Sequence, residues 1–303
     1  MLLPTPLEPA PSALAAGRRV FLKREDVHEL GAFKWRGAIP VLEQYRERGA
    51  DAVVTASTGN HGAATAWAAR DLGLAAIVYA PKGASRTKVA RLEQLGADLR
   101  LVGDDLDEAK DAARAFAESH AVPFFEDGAE TAQFTGYETI GEEIVEQLGE
   151  PPGAVVVPVG NGALLAGIGR AVGRSSPASV RVGVVSKEAP AMALSWEARQ
   201  PVDTLRCETF ADGIAVRVAI PFAVAALSEA TDRMLRVSER SIARAVVAYS
   251  DAGIRAEGAA AAALAALPQL ADVADPVVLV VTGRNIDDDV LARCRDDPES
   301  FPE

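Results

Sequence analysis

The chain has 303 residues, too many for one small core and well suited to one or two α/β domains. Apolar residues make up 49%, which excludes a disordered chain. Lys plus Arg number 31 against 43 Asp plus Glu, a net charge of −12, and no basic stripe offsets it, so nucleic acid is excluded as a partner.

Cys207 and Cys294 are the only cysteines, and their separation gives neither a disulfide framework nor a zinc spacing. They read as thiols in a reducing cytoplasm. The histidines are His28, His61 and His120, too few for a histidine-based metal site or a Ser-His-Asp triad. The N-terminus has early prolines and no basic region, so it reads as neither a signal peptide nor a membrane span.

Strand-like and helix-like segments alternate along the chain. Strands are predicted over 20–23, 52–56, 75–79, 98–102, 123–126, 154–158, 181–185 and 276–281. Most are short, continuous apolar runs, the pattern of strands buried on both faces of a parallel sheet. Helices are predicted over 33–48, 61–72, 87–96, 105–119, 135–148, 164–173, 238–252 and 258–267. Gly49, Gly73, Gly96 and Gly149 stand where helix C-caps are expected. The fold class is α/β, two-lobed, with parallel sheets and helices on both faces. Residues 51–127 read as a small mobile domain, and 1–50 with 128–303 as a large domain from both chain ends.

Three motifs carry chemistry. The strand at 52–56 runs through Ser57-Thr58-Gly59-Asn60-His61-Gly62 into a helix. Glycine lets the backbone turn sharply, and the free amides of a helix N-terminus bind anions. The strand at 154–158 runs through Gly160, Asn161, Gly162, Ala163 and Leu164 into another helix and repeats that geometry. It is not a dinucleotide fingerprint, because Leu165 stands where the last glycine would be, and no Lys-Ser/Thr follows to make a Walker loop. The third motif is Lys34, between Phe33 and Trp35 and one turn into a predicted helix. A lysine in a dry cleft becomes a usable amine nucleophile. Two anion sites and such a lysine fit pyridoxal 5′-phosphate (PLP) with an amino acid as substrate: one loop for the phosphate, one for the carboxylate, and the amine for the aldehyde carbon.

Six segments then appear in one order. They are KREDVHELGAFKWRGA, TASTGNHG, PVGNGALLAGI, TFADGIAV (209–216), AEGAAAAALAAL (256–267) and VVTGRNID (280–287). Over essentially the whole chain this resembles the PLP enzymes of fold type II, the tryptophan-synthase-β-like fold. Within that fold it is most similar to the serine/threonine dehydratases (ammonia-lyases) and their serine racemase relatives.

The resemblance implies roles. Lys34 would be the Schiff-base lysine and the acid/base at the α-carbon, with Phe33 against the ring. Asn60 would bond the ring hydroxyl, and Ser57, Thr58, Gly59, Asn60 and His61 would hold the substrate carboxylate. Gly160, Asn161, Gly162, Ala163 and Leu164 would cradle the phosphate. Gly213 and Glu257 would line the ring, and Thr282 would face the pyridine nitrogen. A hydroxyl there suits β-elimination better than transamination. The resemblance further implies a cytoplasmic homodimer that forms a 2-oxo acid and ammonia from a β-hydroxy amino acid such as threonine or serine.

Departures from the family pattern define the alternatives. Gly136-Tyr137-Glu138-Thr139 replaces the usual GQGT and leans toward the β-replacement synthases. Thr58 stands where racemases carry a serine on the face opposite the lysine; as a catalytic residue it could still donate a proton, though its methyl group crowds the site and disfavours racemisation. Ala32 replaces a serine, and Asn161 a glycine. Ser186 and Met192 stand where several relatives carry cation-binding carboxylates, so no metal site is expected. A PLP or amino-acid binding protein without turnover is the reading from another class.

Overall fold

The computed structural model describes residues 4–303; the first three residues of the expected large domain lie outside the described residues. The chain divides into two compact units, one of residues 1–33 with 137–303 and one of residues 34–136.

The larger unit is built on a six-stranded sheet. Its strands are β1 (Leu7–Pro9), β2 (Val20–Arg24), β6 (Ala154–Pro158), β7 (Val180–Ser186), β8 (Arg233–Val237) and β9 (Val277–Val281), in the order β1-β2-β9-β6-β7-β8. Every neighbouring pair is parallel except β1–β2, which is antiparallel. The two central strands, AVVVP and VVLVV, are buried along their whole length. That burial explains why they carry no polar alternation. Helix α11 (Gly258–Ala266) lies in the same core, with Ala259 to Ala263 and Ala266 clustered with Val156, Val182, Val184, Leu279 and Val281. Its alanines supply helix propensity without bulk.

The smaller unit holds β3 (Ala52–Ala56), β4 (Ala75–Ala80) and β5 (Asp98–Leu101), all parallel in that order. Its helices include α2 (Trp35–Glu47), α3 (Asn60–Leu72), α4 (Arg86–Gln94) and α5 (Leu106–His120). Ala109, Ala113 and Ala117 of α5 pack on Val54, Ile77 and Tyr79, while Ala63 and Leu92 pack with Val78. This unit is wider than the expected 51–127. Val41, Leu42 and Tyr45 of α2 are buried, and the Tyr45 hydroxyl donates to Glu130 Oε1 at 2.6 Å. Those contacts assign α2 to the smaller unit, and the boundary moves to 33/34.

Other expectations also shift. The strand predicted over 123–126 is reduced to a single parallel bridge between Val54 and Phe124. Its backbone still pairs, with Val54 N donating to Pro123 O and Phe125 N to Val54 O. β8 was not expected, because Arg233 and Arg236 punctuate its apolar residues. It is the sheet edge, where charge is tolerated. Helices α8 (Ala191–Ala198), α9 (Pro221–Ala230) and α12 (Asp288–Asp296) were likewise not foreseen. No helix among the described residues is long and apolar enough to cross a membrane.

Candidate functional site

Parallel sheets bind ligands beyond the carboxyl ends of their strands. In the larger unit, β6 and β9 are neighbours, and both expected ligand segments leave their carboxyl ends.

After β6, Gly162 turns the chain with φ +94° and caps α7 (Ala163–Ser175). Only glycine adopts that φ without strain. Gly160 is needed for a different reason: a Cβ there would lie 2.6 Å from the Gly213 carbonyl oxygen. The turn containing Gly213 is therefore pressed against the glycine loop. Asn161 is more than a spacer, since its Oδ1 accepts the Ala163 amide at 3.0 Å. One amide of the α7 N-terminus is thus already engaged by the chain itself.

After β9 comes Thr282, 2% exposed, whose hydroxyl has no hydrogen-bond partner. Buried polar groups are almost always satisfied, so this hydroxyl is open to a ligand acceptor or donor. The Thr282 carbonyl accepts from the amide of Phe33, and Ala32 bridges Gly283. These bonds hold the segment leading to Lys34 at the end of β9. The Phe33 ring meets Tyr137 edge-on, with centroids 5.1 Å apart. Glu257 caps α11, and its carboxylate lies between Gly213 and Gly283, where a Cβ would come within 3.4 Å and 2.8 Å of it. Asn285 N donates to Glu257 Oε2 at 3.3 Å.

In the smaller unit, β3 leads through Ser57, Thr58 and Gly59 into α3, whose first residues are Asn60 and His61. Gly59 is extended, and its amide donates to Ser57 Oγ at 3.2 Å. Gly62 is required because a Cβ there would lie 2.4 Å from the Ser57 carbonyl oxygen. The α3 amides after this turn form an anion-binding helix start.

Lys34 is not one turn into its helix. It is the cap that precedes Trp35, with helical φ −58° and ψ −23°. Its Nζ forms a hydrogen-bonded ion pair with Asp127 Oδ2. Asp127 Oδ1 accepts from Gln133 Nε2 at 2.7 Å, and Gln133 Oε1 accepts from the Gly128 amide at 2.7 Å. His61 is buried, its Nε2 3.3 Å from the Phe125 carbonyl and its Nδ1 3.8 Å from Asp127 Oδ1. Burial pushes the His61 pKa down against the opposing pull of Asp127. Burial would raise the Asp127 carboxyl, but the charges of Lys34 and His61 and the bonds from Lys34 and Gln133 hold it well below the usual range.

Asp127 and Gln133 escaped the sequence reading, which gave His61 only a backbone role. The pair Lys34–Asp127 spans 93 positions, and a lone aspartate before a glycine reads as a turn. Tyr137 and Glu138, the residues that leaned toward replacement chemistry, have structural partners here. Tyr137 is fully buried and Glu138 pairs with Arg174 at 2.7 Å. Ser186 donates to Glu239, and Met192 packs with its Cε toward Gly162. Among the described residues no cluster of three or more His, Cys, Asp or Glu could hold a metal.

Residues 2–283 match the sequence profile of a family described as pyridoxal-phosphate dependent enzyme. The chain belongs to that family. An L-threonine ammonia-lyase of Thermotoga maritima is 34% identical over 283 residues, 91% of this chain and 70% of that protein. A biosynthetic L-threonine dehydratase of Mycobacterium tuberculosis is 35% identical over 300 residues, 95% of this chain and 69% of that protein. Among solved structures, processed threonine deaminase isoform 2 of Solanum lycopersicum superposes with a TM-score of 0.91 at 30% identity, covering 96% of this chain and 87% of that one. Maize serine racemase superposes with a TM-score of 0.89 at 24% identity, covering 97% and 92%, a likeness of fold. The cofactor is PLP, the fold is type II, and within it the chain is a member of the ammonia-lyase (dehydratase) branch.

The residues fit that cofactor. An unpartnered, buried hydroxyl at Thr282 offers a donor to a ring nitrogen. The glycine loop before α7 offers a helix N-terminus to a phosphate, and Lys34 offers a primary amine to an aldehyde.

Proposed function

We propose that the protein eliminates the β-hydroxyl of a small amino acid, serine or threonine, to give a 2-oxo acid and ammonia. The unpartnered hydroxyl of Thr282 is the observation that carries the reading. PLP, when bound, supplies a sink for the electron pair left on the substrate α-carbon. A hydroxyl at the ring nitrogen, in place of a carboxylate, tempers that sink and favours loss of a β-substituent over transamination.

Each residue then has a task. Gly160 to Leu164 would hold the cofactor phosphate, with Asn161 fixing the loop through the Ala163 amide. Asn60 would bond the ring hydroxyl, and Phe33, Gly213 and Glu257 would border the ring. The Ser57–His61 backbone would hold the substrate carboxylate, with Thr58 on the face away from the lysine. Lys34 would take the α-proton and return it to the departing hydroxyl, which leaves as water. A homodimer in the cytoplasm is the proposed setting.

The test is direct. Protein purified with PLP should show a visible-edge absorbance that Lys34→Ala abolishes. It should release ammonia and 2-oxo acid in equal amounts from serine or threonine, with no second substrate. Turnover that requires an added nucleophile would assign a replacement synthase instead. Unchanged chirality of recovered substrate excludes racemisation.

A further inference from the structure

Asp127 has no part in the roles above, yet it touches the atom on which they turn. The carboxylate is held on both sides. Gln133, 1% exposed, spends its amide nitrogen on Asp127 Oδ1 and its amide oxygen on the Gly128 amide. This clamp leaves Oδ2 directed at Lys34 Nζ. Both partners are partly buried, with side-chain exposures of 15% for Lys34 and 27% for Asp127. His61 is buried alongside, its Nδ1 3.8 Å from Asp127 Oδ1.

We propose that Asp127 is a catalytic residue, the counter-ion that stabilises Lys34 once Lys34 has taken the substrate α-proton. This rests on the assignment of Lys34 as the base. The pair in the structure has the charges that this proton transfer would leave, an ammonium facing a carboxylate. In the step itself the α-carbon–hydrogen bond breaks, the nitrogen–hydrogen bond forms, and the electron pair stays with the substrate. Positive charge thus appears on Nζ as the transition state is reached. A carboxylate fixed beforehand against that atom stabilises the charge without reorganising. Gln133 keeps it fixed, so Gln133 is a positioning residue.

The bonds from Lys34 and Gln133 to its two oxygens suit Asp127 to this role. A carboxylate that stays deprotonated cannot protonate a leaving hydroxyl. With Lys34 as the base, its ammonium supplies the proton for water, and Asp127 holds that ammonium until the carbon–oxygen bond breaks. Removing the charge should slow proton abstraction and leave binding intact.

The experiment compares wild type, Asp127→Asn and Gln133→Leu as PLP-loaded enzymes. Both variants should take up PLP in the wild-type stoichiometry, because Lys34 is retained and neither touches the phosphate loop or Thr282. Asp127→Asn should lose about 100-fold in kcat, a single electrostatic partner's worth, with KM changed less than about 3-fold. The isotope effect from α-deuterated substrate on kcat/KM should rise, as abstraction becomes more limiting. Gln133→Leu should fall between the two. A second readout uses alanine, which has nothing to eliminate: α-proton exchange into deuterated water, followed by NMR, should slow in parallel. A variant Asp127→Asn with wild-type kcat, isotope effect and exchange rate would overturn the proposal while leaving Lys34 as the base. Wild-type protein that takes up no PLP would overturn both together.

Discussion

At the scale of single residues, Thr282 combines two properties that rarely coexist. Its hydroxyl is buried and unsatisfied, which costs the protein about 1–3 kcal/mol. Val has the same shape without the donor. Thr282→Val should therefore melt at the same temperature as the wild type, or higher, in the cofactor-free state. The same substitution should weaken PLP binding about 10-fold, or about 1.4 kcal/mol. Differential scanning calorimetry and a fluorescence titration with PLP separate the two effects. Loss of stability together with unchanged affinity would show that the hydroxyl serves the fold and not the cofactor. Lys34 and Asp127 are by contrast a satisfied pair, which only folding brings together across 93 positions.

At the scale of elements, the larger unit shows how neighbours decide what local pattern leaves open. β8 contains charged residues that argue against a strand, yet it pairs with β7 over five registered positions from Val182↔Arg233 to Ser186↔Val237. A clamp precedes it: Arg181 donates its amide and two guanidinium nitrogens to the Asp232 carboxylate at 2.6 to 2.8 Å. The bonds from Arg181 hold the Asp232 carboxyl below its usual range. A carboxyl depressed in the folded state stabilises that state above its unfolded value, about 3.9, and loses the contribution as pH falls through the folded value. Asp232→Ala should cost about 1 kcal/mol at pH 7, because the pair is partly exposed. The cost should shrink steadily below about pH 4. Urea midpoints at pH 7 and pH 3 measure it, and a cost that grows with acidity contradicts the assignment.

At the scale of the whole molecule, two units carry separate cores, one around β6, β7 and β9 and one around β3 and β4. A ligand that binds only the folded protein stabilises it by about 2.7 kcal/mol at 100 times its dissociation constant. Saturating PLP should accordingly raise the melting temperature of the wild type by several degrees. Lys34→Ala, lacking the covalent anchor, should gain less. Equal gains would mean that Lys34 contributes nothing to holding the cofactor.

Much of this was legible in the chain. The buried parallel strands β3 and β6 declare themselves as apolar runs with the bounds found, because a strand covered on both faces has no polar alternation. Gly160 and Gly162 mark a close approach and a positive φ, which are backbone constraints local enough to appear in composition. Lys34 with the two helix starts named the cofactor, since each motif carries its chemistry within a few residues. The assignment of α2 to the smaller unit was hidden, because it depends on Tyr45 reaching Glu130 across 85 positions. Asp127 and Gln133 were hidden for the same reason: an aspartate before a glycine looks like any turn until a distant lysine is set against it. The sequence alone therefore determined the fold class and the cofactor, through periodicity and motifs that act over short range. Only the tertiary structure decided what charge faces that lysine, because a carboxylate fixed by a buried amide exists as a partner only once remote segments pack together.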